Sequence, residues 1–248
     1  MSKLFGADLV GICKFDERWV YTQRYARSSS EGKPEGLPVG LPENLQGVIV
    51  IGQAMDHDLV DTVPSALSGA AVGLGYSKDA LVLLATAQWL LNLGYLAVPS
   101  LNDTALAIPL AIQAGLGEYG RHGMVITREY VPRVRFGKIF TNAPMAFDNQ
   151  IEFGVTKFCE NCRKCTDACP PKAIPDGEPS PVKLNLSSIS GVKKWSVDGE
   201  KCFSYWGKIV SDCMICMRVC PYNKDFTKFR HKIGLRLAST KLRNFTGS

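Results

Sequence analysis

The chain has 248 residues, 46% of them hydrophobic, and a formal charge of +6. That is enough chain to bury a sizeable core in one or two globular domains. No run predicts a membrane span, because the strongest, residues 80–91, covers about twelve positions where about twenty are needed, and it contains Gln88.

The N-terminus carries neither a twin-arginine nor a Sec-type signal, which places the chain as written in a reducing cytoplasm. A trimmed twin-arginine leader would instead make it exported and membrane-associated. Residues 7–13 (ADLVGIC) predict a short buried strand, with Cys13 a buried spectator. Residues 16–40 start aromatic and arginine-rich, then turn Ser/Gly/Pro-rich from Ser28, which predicts a surface loop. Residues 47–55 (GVIVIGQAM) form a β-branched run of the kind covered on both faces, and His57 beyond it reads as an exposed loop histidine.

A helix is predicted from Ser77 as N-cap, with Leu81, Leu84, Gln88 and Leu91 at helical spacing and Gly94 as its C-cap glycine. Residues 95–99 predict a strand. Asn102, Asp103 and Thr104 then cap a second helix over residues 105–114, and Pro109 either delays its start or kinks it. Gly115, Gly117, Gly120 and Gly123 crowd the next nine residues. A G-x-G-x-x-G occurs there, but it follows a helix and opens none, so the dinucleotide-binding context is missing. The run predicts a loop pressed against a flat cofactor or another backbone. Residues 124–127 and 133–141 predict two further strands.

Eight of the nine cysteines follow. Cys159, Cys162, Cys165 and Cys169-Pro170 spell C-x2-C-x2-C-x3-C-P, the bacterial two-cluster ferredoxin pattern, in which the fourth cysteine serves the other cluster. Applied here, Cys159, Cys162, Cys165 and Cys220 hold one [4Fe-4S] cluster, and Cys202, Cys213, Cys216 and Cys169 hold the second. The departure is Cys202, which stands eleven residues before Cys213 instead of three. Disulfides suit small secreted scaffolds, and zinc knuckles usually lack the x3-C-P tail. Two [4Fe-4S]2+ clusters, each roughly −2 with four thiolates, bring the holo-protein to about +2, which argues against a nucleic-acid binder driven by bulk charge.

The order of elements predicts a mixed α/β (α+β) fold bearing a ferredoxin-like module, with a seam in residues 143–150. Residues 1–150 are then the α/β domain, 151–232 the dicluster module and 233–248 a basic tail.

Several stretches together resemble the corrinoid-dependent reductive dehalogenases over nearly the full length: VIVIGQAMDHDL, LGYSKDALVLLATAQWLLNLGY, PSLNDTALAIPLAIQAGLGEYGRHGMVIT, PRVRFGKIFTN and GVKKWSVDGEKCFSYWGKIVSDCMICMRVCPYNK. The last couples Cys202 to the second cysteine run. The related epoxyqueuosine reductases share the scaffold but carry an aspartate where this chain has Asn102. The chain is shorter at its N-terminus than the respiratory dehalogenases it resembles.

The resemblance implies a nitroreductase-like α/β domain that binds a cobalamin-type corrinoid in its base-off form, with the two clusters relaying electrons to cobalt. The absence of a D-x-H-x-x-G cobalt-ligand motif agrees with that form. It also implies that Tyr76 is the proton donor, Arg135 its basic partner and Asn102 a pocket residue beside them. Gly115, Gly117, Gly120 and Arg121 are assigned to the corrinoid. A guanidinium beside a phenol favours the anion left after proton transfer. The alternatives are a core aromatic for Tyr76 and a solvated strand-edge charge for Arg135. Tyr205 and Trp206 either wall the pocket or shield a cluster.

The implied activity is reductive removal of halide from a small organohalide. Electrons would come from a ferredoxin- or flavodoxin-type donor or from a membrane donor, with a membrane-anchor partner and no nucleic acid. The competing readings are an epoxyqueuosine reductase-like enzyme and a dicluster electron-transfer protein, for which the α/β domain would be superfluous.

Overall fold

The structure, a computed structural model, describes residues 1–25 and 36–224. The expected basic tail at 233–248, and residues 28–35 of the expected loop, lie outside the described residues.

In chain order the elements are β1 (Leu9–Lys14), a 3-10 turn (Glu17–Trp19), β2 (Gln23–Tyr25), β3 (Gly36–Pro38), β4 (Gly47–Ala54), α1 (His57–Asp61) and α2 (Ala66–Asn92). Then come β5 (Ala97–Ser100), α3 (Ala107–Gln113), β6 (Glu118–Tyr119), β7 (Val125–Ile126) and β8 (Val134–Thr141). The chain continues through α4 (Val155–Asn161), α5 (Lys164–Ala168), α6 (Gly199–Ile209) and α7 (Ile215–Arg218). The mixed α/β class follows directly.

The chain divides into two units. A boundary falls after Ile151, close to the expected seam, yet the division is not linear. Residues 1–53, 75–116 and 135–151 make the first unit, while 54–74 and 117–134 join 152–248 in the second.

The first unit is built on a four-stranded sheet of order β1-β4-β8-β5, with β1 antiparallel to β4 and β5 antiparallel to β8. Strand β4 is buried along all but its last residue, as its unbroken apolar run requires. Ile49 and Ile51 from β4, Ile139 from β8 and Val82, Leu83, Ala87 and Leu90 from α2 form the core. Residues 36–38, expected in a loop, pair as β3 with β2 in a small antiparallel ribbon.

Helix α2 corrects the prediction most. It begins at Ala66, so Ser77 lies inside it and caps nothing. The effective start signal is Ser65, whose Oγ accepts from the Ser68 amide at 3.1 Å while the Ser68 Oγ accepts from the Ser65 amide at 3.2 Å. This is the reciprocal geometry of a capping box. Gly69, Gly73 and Gly75, which precede the expected start, cost a helix about 1 kcal/mol each, and burial of Ala71, Val72, Val82 and Leu83 overrides them. The C-terminus is as expected, with Gly94 at φ 86° and the Tyr95 amide donating back to the Leu90 carbonyl. At 27 residues α2 is long and apolar enough to cross a membrane by length and composition, where the sequence pointed to about twelve residues. Its Val82, Leu83, Ala87 and Leu90 face belongs to a protein core.

Helix α3 also starts later than its expected cap, at Ala107 with Pro109 in its first turn. Leu106 occupies the cap position without a side-chain bond, which releases Asn102 for another use.

The second unit packs the β6–β7 hairpin and the short helices around three clusters. One holds Ile126, Val131, Val155, Cys159, Trp195, Cys220 and Tyr222, the next Cys165, Cys169, Ala173 and Ile174. A third gathers Met55, Val60, Val63, Ala71, Val72 and Met214. His57 opens α1 half-buried, beside Asp58 at 3.0 Å, and is not an exposed loop residue.

Candidate functional site

The cysteine-bearing helices of the second unit are fixed by the glycine-rich segment. Glu118 accepts from the amides of Phe153, Val155 and Thr156, which supplies the N-terminus of α4 with the cap that its own Gly154 lacks. Three residues on, Arg121 is buried at 1% exposure. Its guanidinium donates to the carbonyls of Cys159 and Glu160 in the last turn of α4, and to those of Pro175, Asp176 and Gly177. It also stacks 4.7 Å from the Trp195 ring centre, and the Trp195 indole donates to the same Gly177 carbonyl. One short loop therefore clamps both ends of the helix that carries Cys159.

Of the two surfaces expected against this loop, a cofactor or another backbone, the structure supplies the backbone. A Cβ on Gly115 would sit 2.5 Å from the Asn149 carbonyl oxygen, and one on Gly117 would sit 2.4 Å from that of Ile126. A Cβ on Gly120 would meet the His122 ring at 2.8 Å. Arg121 is committed to the five carbonyls. The Cβ directions of Gly115, Gly117 and Gly120, and the Arg121 guanidinium, thus face the chain's own atoms.

Cysteines 159, 165, 169 and 220 are buried, and 162, 202, 213 and 216 half-buried, all as free thiols. The structure brings Cys220 into the field of Cys159, Cys165 and Cys162, and it brings Cys169 into that of Cys202, Cys213 and Cys216. Burial, first of all, pushes the Cys159 and Cys220 thiols up to about 12 and Cys165 to about 11, with neighbouring thiolates adding to it. The Arg121 cation works in the opposite direction on Cys159 and Cys165. Thiols so crowded and buried ionise when a metal supplies the compensating charge. A single zinc holds sulfurs at about 2.3 Å and therefore within about 4 Å of one another. Among the described residues, no three Cys, His, Asp or Glu groups converge to hold one ion. A four-iron cluster, with its irons between the thiolates, takes four thiolates without bringing them onto one ion.

The unusual place of Cys202 has a local cause. It sits in the first turn of α6, capped by Asp198 accepting from the Lys201 amide at 3.0 Å, and the helix must finish at the left-handed Val210 before the chain can reach Cys213. Burial raises the Cys202 thiol, and the indole N–H of Trp206, one turn along α6, opposes that rise. The Ala173 amide donates to the Cys169 sulfur at 3.3 Å.

In the first unit, Tyr76, Asn102 and Arg135 come together from three separate stretches. The Asn102 amide nitrogen donates to the Tyr76 hydroxyl at 2.9 Å. The Arg135 guanidinium lies 3.8 Å from the Tyr76 ring centre. Tyr76 is 37% exposed and sits in mid-helix, not at a loop entering α2. Asn102 occupies the phenol's acceptor side, so the hydroxyl keeps its own proton to donate elsewhere.

Residues 158–223 match the family of 4Fe-4S double cluster binding domains. A tetrachloroethene reductive dehalogenase of Desulfitobacterium hafniense is 38% identical over 90% of this chain and 47% of its own length. A solved reductive dehalogenase, described as suggesting a mechanism for B12-dependent dehalogenation, superposes with a TM-score of 0.80 at 25% identity. The match covers 99% of this chain and 34% of that one. An epoxyqueuosine reductase of Lactococcus garvieae is 30% identical over 52% of this chain and 36% of its own length. The chain spans about half the length of the curated reductive dehalogenases it matches.

Proposed function

We propose that this chain, a homologue of the reductive dehalogenases with the epoxyqueuosine reductases as more distant relatives, carries out reductive removal of halide from a small organohalide. The observation that carries the reading is the Tyr76 phenol held between the Asn102 amide and the Arg135 guanidinium, in a chain that also gathers eight cysteines of a double cluster domain. The reaction breaks carbon–halogen and forms carbon–hydrogen, consuming two electrons and one proton and releasing halide. The electrons come through the two clusters from a ferredoxin- or flavodoxin-type donor or a membrane donor.

A corrinoid would supply the cobalt that exchanges electrons with the carbon–halogen bond; likeness to a B12-dependent dehalogenase supports its presence. At Gly115, Gly117 and Gly120 only the backbone would be left to meet it, because their Cβ directions are filled by the chain's own atoms. What the chain's own residues do is handle the proton. Asn102 fixes the hydroxyl, Tyr76 donates its proton to the carbon losing halide, and Arg135 across the ring stabilises the phenolate left behind. Organised chain in the first unit, beyond what a ferredoxin needs, speaks against a plain electron carrier.

The test is halide release by anaerobic, cluster- and corrinoid-loaded protein with a strong reductant. Tyr76→Phe keeps the ring and removes its only exchangeable proton. We expect it to retain both cofactors and lose roughly two orders of magnitude in rate. Undiminished release by Tyr76→Phe would return Tyr76 to a packing role, and queuosine formation without halide release would favour the epoxyqueuosine reading.

A further inference from the structure

Helix α2 and strand β8 meet in a register that leaves one buried acid unexplained. Tyr76, Asp79 and Leu83 recur on α2 at a spacing that shares one face. Arg135, Gly137 and Ile139 alternate onto one face of β8. The pairing is direct at each level. Arg135 lies over the Tyr76 ring, a Cβ on Gly137 would stand 2.5 Å from the Asp79 Oδ1 and 2.6 Å from Leu83, and Ile139 joins Leu83 in the core. Glycine at 137 thus vacates the space that the Asp79 carboxyl fills.

Asp79 is 2% exposed, and its Oδ1 is buried without a hydrogen-bond partner. The Arg135 Nε, two residues from Gly137 along the strand, is a buried donor that also has none. A buried carboxylate oxygen and a buried guanidinium N–H left unpaired on facing elements are each costly alone and would relieve each other. The charges acting on Asp79 are Lys138, from the other face of β8, and Arg135, and Asp103 acts in turn on Lys138. Lys138 is already engaged with the carbonyls of Leu101 and Ala105.

We propose that Asp79 is a positioning residue for the Tyr76–Arg135 pair, its carboxylate, seated over Gly137, acting on the Arg135 guanidinium through its charge, without a direct bond, and so biasing where the guanidinium lies over the phenol ring. This rests on the dehalogenase reading for its purpose but not for its geometry. Asp79 touches no reacting atom; it acts through Arg135.

The test follows the Tyr76 ring by NMR of cluster-loaded protein carrying [13Cζ]tyrosine, with the Tyr76 signal identified by its loss in Tyr76→Phe. Burial, opposed by Lys138 and Arg135, places the Asp79 carboxyl at about 7. The Tyr76 signal should therefore shift between pH 5 and 8 with a midpoint about there. Asp79→Asn should abolish the shift, and so should Arg135→Leu, because the arginine carries the effect. Gly137→Ala, which displaces the carboxyl without removing it, should move or abolish the midpoint.

A shift that survives Arg135→Leu would mean that Asp79 acts on the ring directly, and a pH-independent wild-type signal would mean that it does not act at all; either overturns the proposal. In halide release, Asp79→Asn should lose the limb near pH 7 and fall at least tenfold at pH 8. No release by wild type with the NMR shift intact would sink the dehalogenase reading alone. Full release by Asp79→Asn with an unchanged pH profile would sink the positioning role alone.

Discussion

Burial pushes the Asp79 carboxyl from the ordinary 3.8 up to about 7, against the pull of Lys138 and Arg135. The unfolded chain loses that proton at about 3.9, so between those values the folded state holds the proton and the unfolded state does not. Stability then falls as pH rises through this window and levels off above about 7. Asp79→Asn, never charged, escapes the loss. Its advantage in denaturant unfolding should be nil below pH 4 and grow to ~4 kcal/mol above pH 7. A variant no more stable than wild type at pH 8 would mean that the attraction of Lys138 and Arg135 outweighs desolvation. Little of this was open to sequence reasoning. A lone Asp in an apolar helical run reads as its polar face, and only the facing Gly137 shows that it points inward. Tyr76, Asn102 and Arg135 were singled out through family resemblance, because no spacing links residues 26 and 33 positions apart. Asn102 in particular read as a helix cap.

At the scale of elements, what was legible followed signals that are local. The β4 run, the Gly94 C-cap and the glycine crowding at 115–123 were all readable because each acts on its own neighbours. The start of α2 was not, since Ser65 and Ser68 cap it across a stretch rich in small residues, and three glycines sit inside it. The clamp on α4 was equally hidden, because Glu118 and Arg121 act on residues 35 and more positions away. The pair divides the labour of a helix cap, with a carboxylate on the first-turn amides and a guanidinium on last-turn carbonyls. Arg121→Met keeps the stem but removes the donor from five carbonyls, of which only those of Pro175 and Gly177 keep a second side-chain donor, from Thr166 and Trp195. The variant should lose the cluster of Cys159, Cys162, Cys165 and Cys220 on anaerobic reconstitution, read as iron and sulfide falling to about half. Glu118→Gln, which still accepts hydrogen bonds, should retain both clusters and lose only about 1–2 kcal/mol of stability. Full iron content in Arg121→Met would show that the clamp is dispensable to cluster assembly.

For the molecule as a whole, the division of labour follows the two units. The second unit holds every cysteine but Cys13 and the residues that fix them, while the first holds the phenol, the amide and the guanidinium. The two cysteine runs are interleaved: Cys169 lies in the field of Cys202, Cys213 and Cys216, and Cys220 in that of Cys159, Cys162 and Cys165. Loss of Cys202 should therefore remove one cluster without the other, because Cys159, Cys162, Cys165 and Cys220 are all left in place. Intact protein should carry about eight iron and eight sulfide per chain. Cys202→Ala is the most informative single change, since Cys202 alone departs from ferredoxin spacing and reaches its place by way of α6. It should lose the EPR signal of one cluster and keep the other's. Cys13→Ala serves as its control. That thiol lies at 2% exposure and is pushed up to about 12 by burial first, then by the charges of Asp16 and Asp148, which disfavours the thiolate a metal would need. The control should keep all of its iron. Two intact signals in Cys202→Ala would reassign the fourth ligand of the second cluster, and iron loss in Cys13→Ala would bring the ninth cysteine into the ligand set.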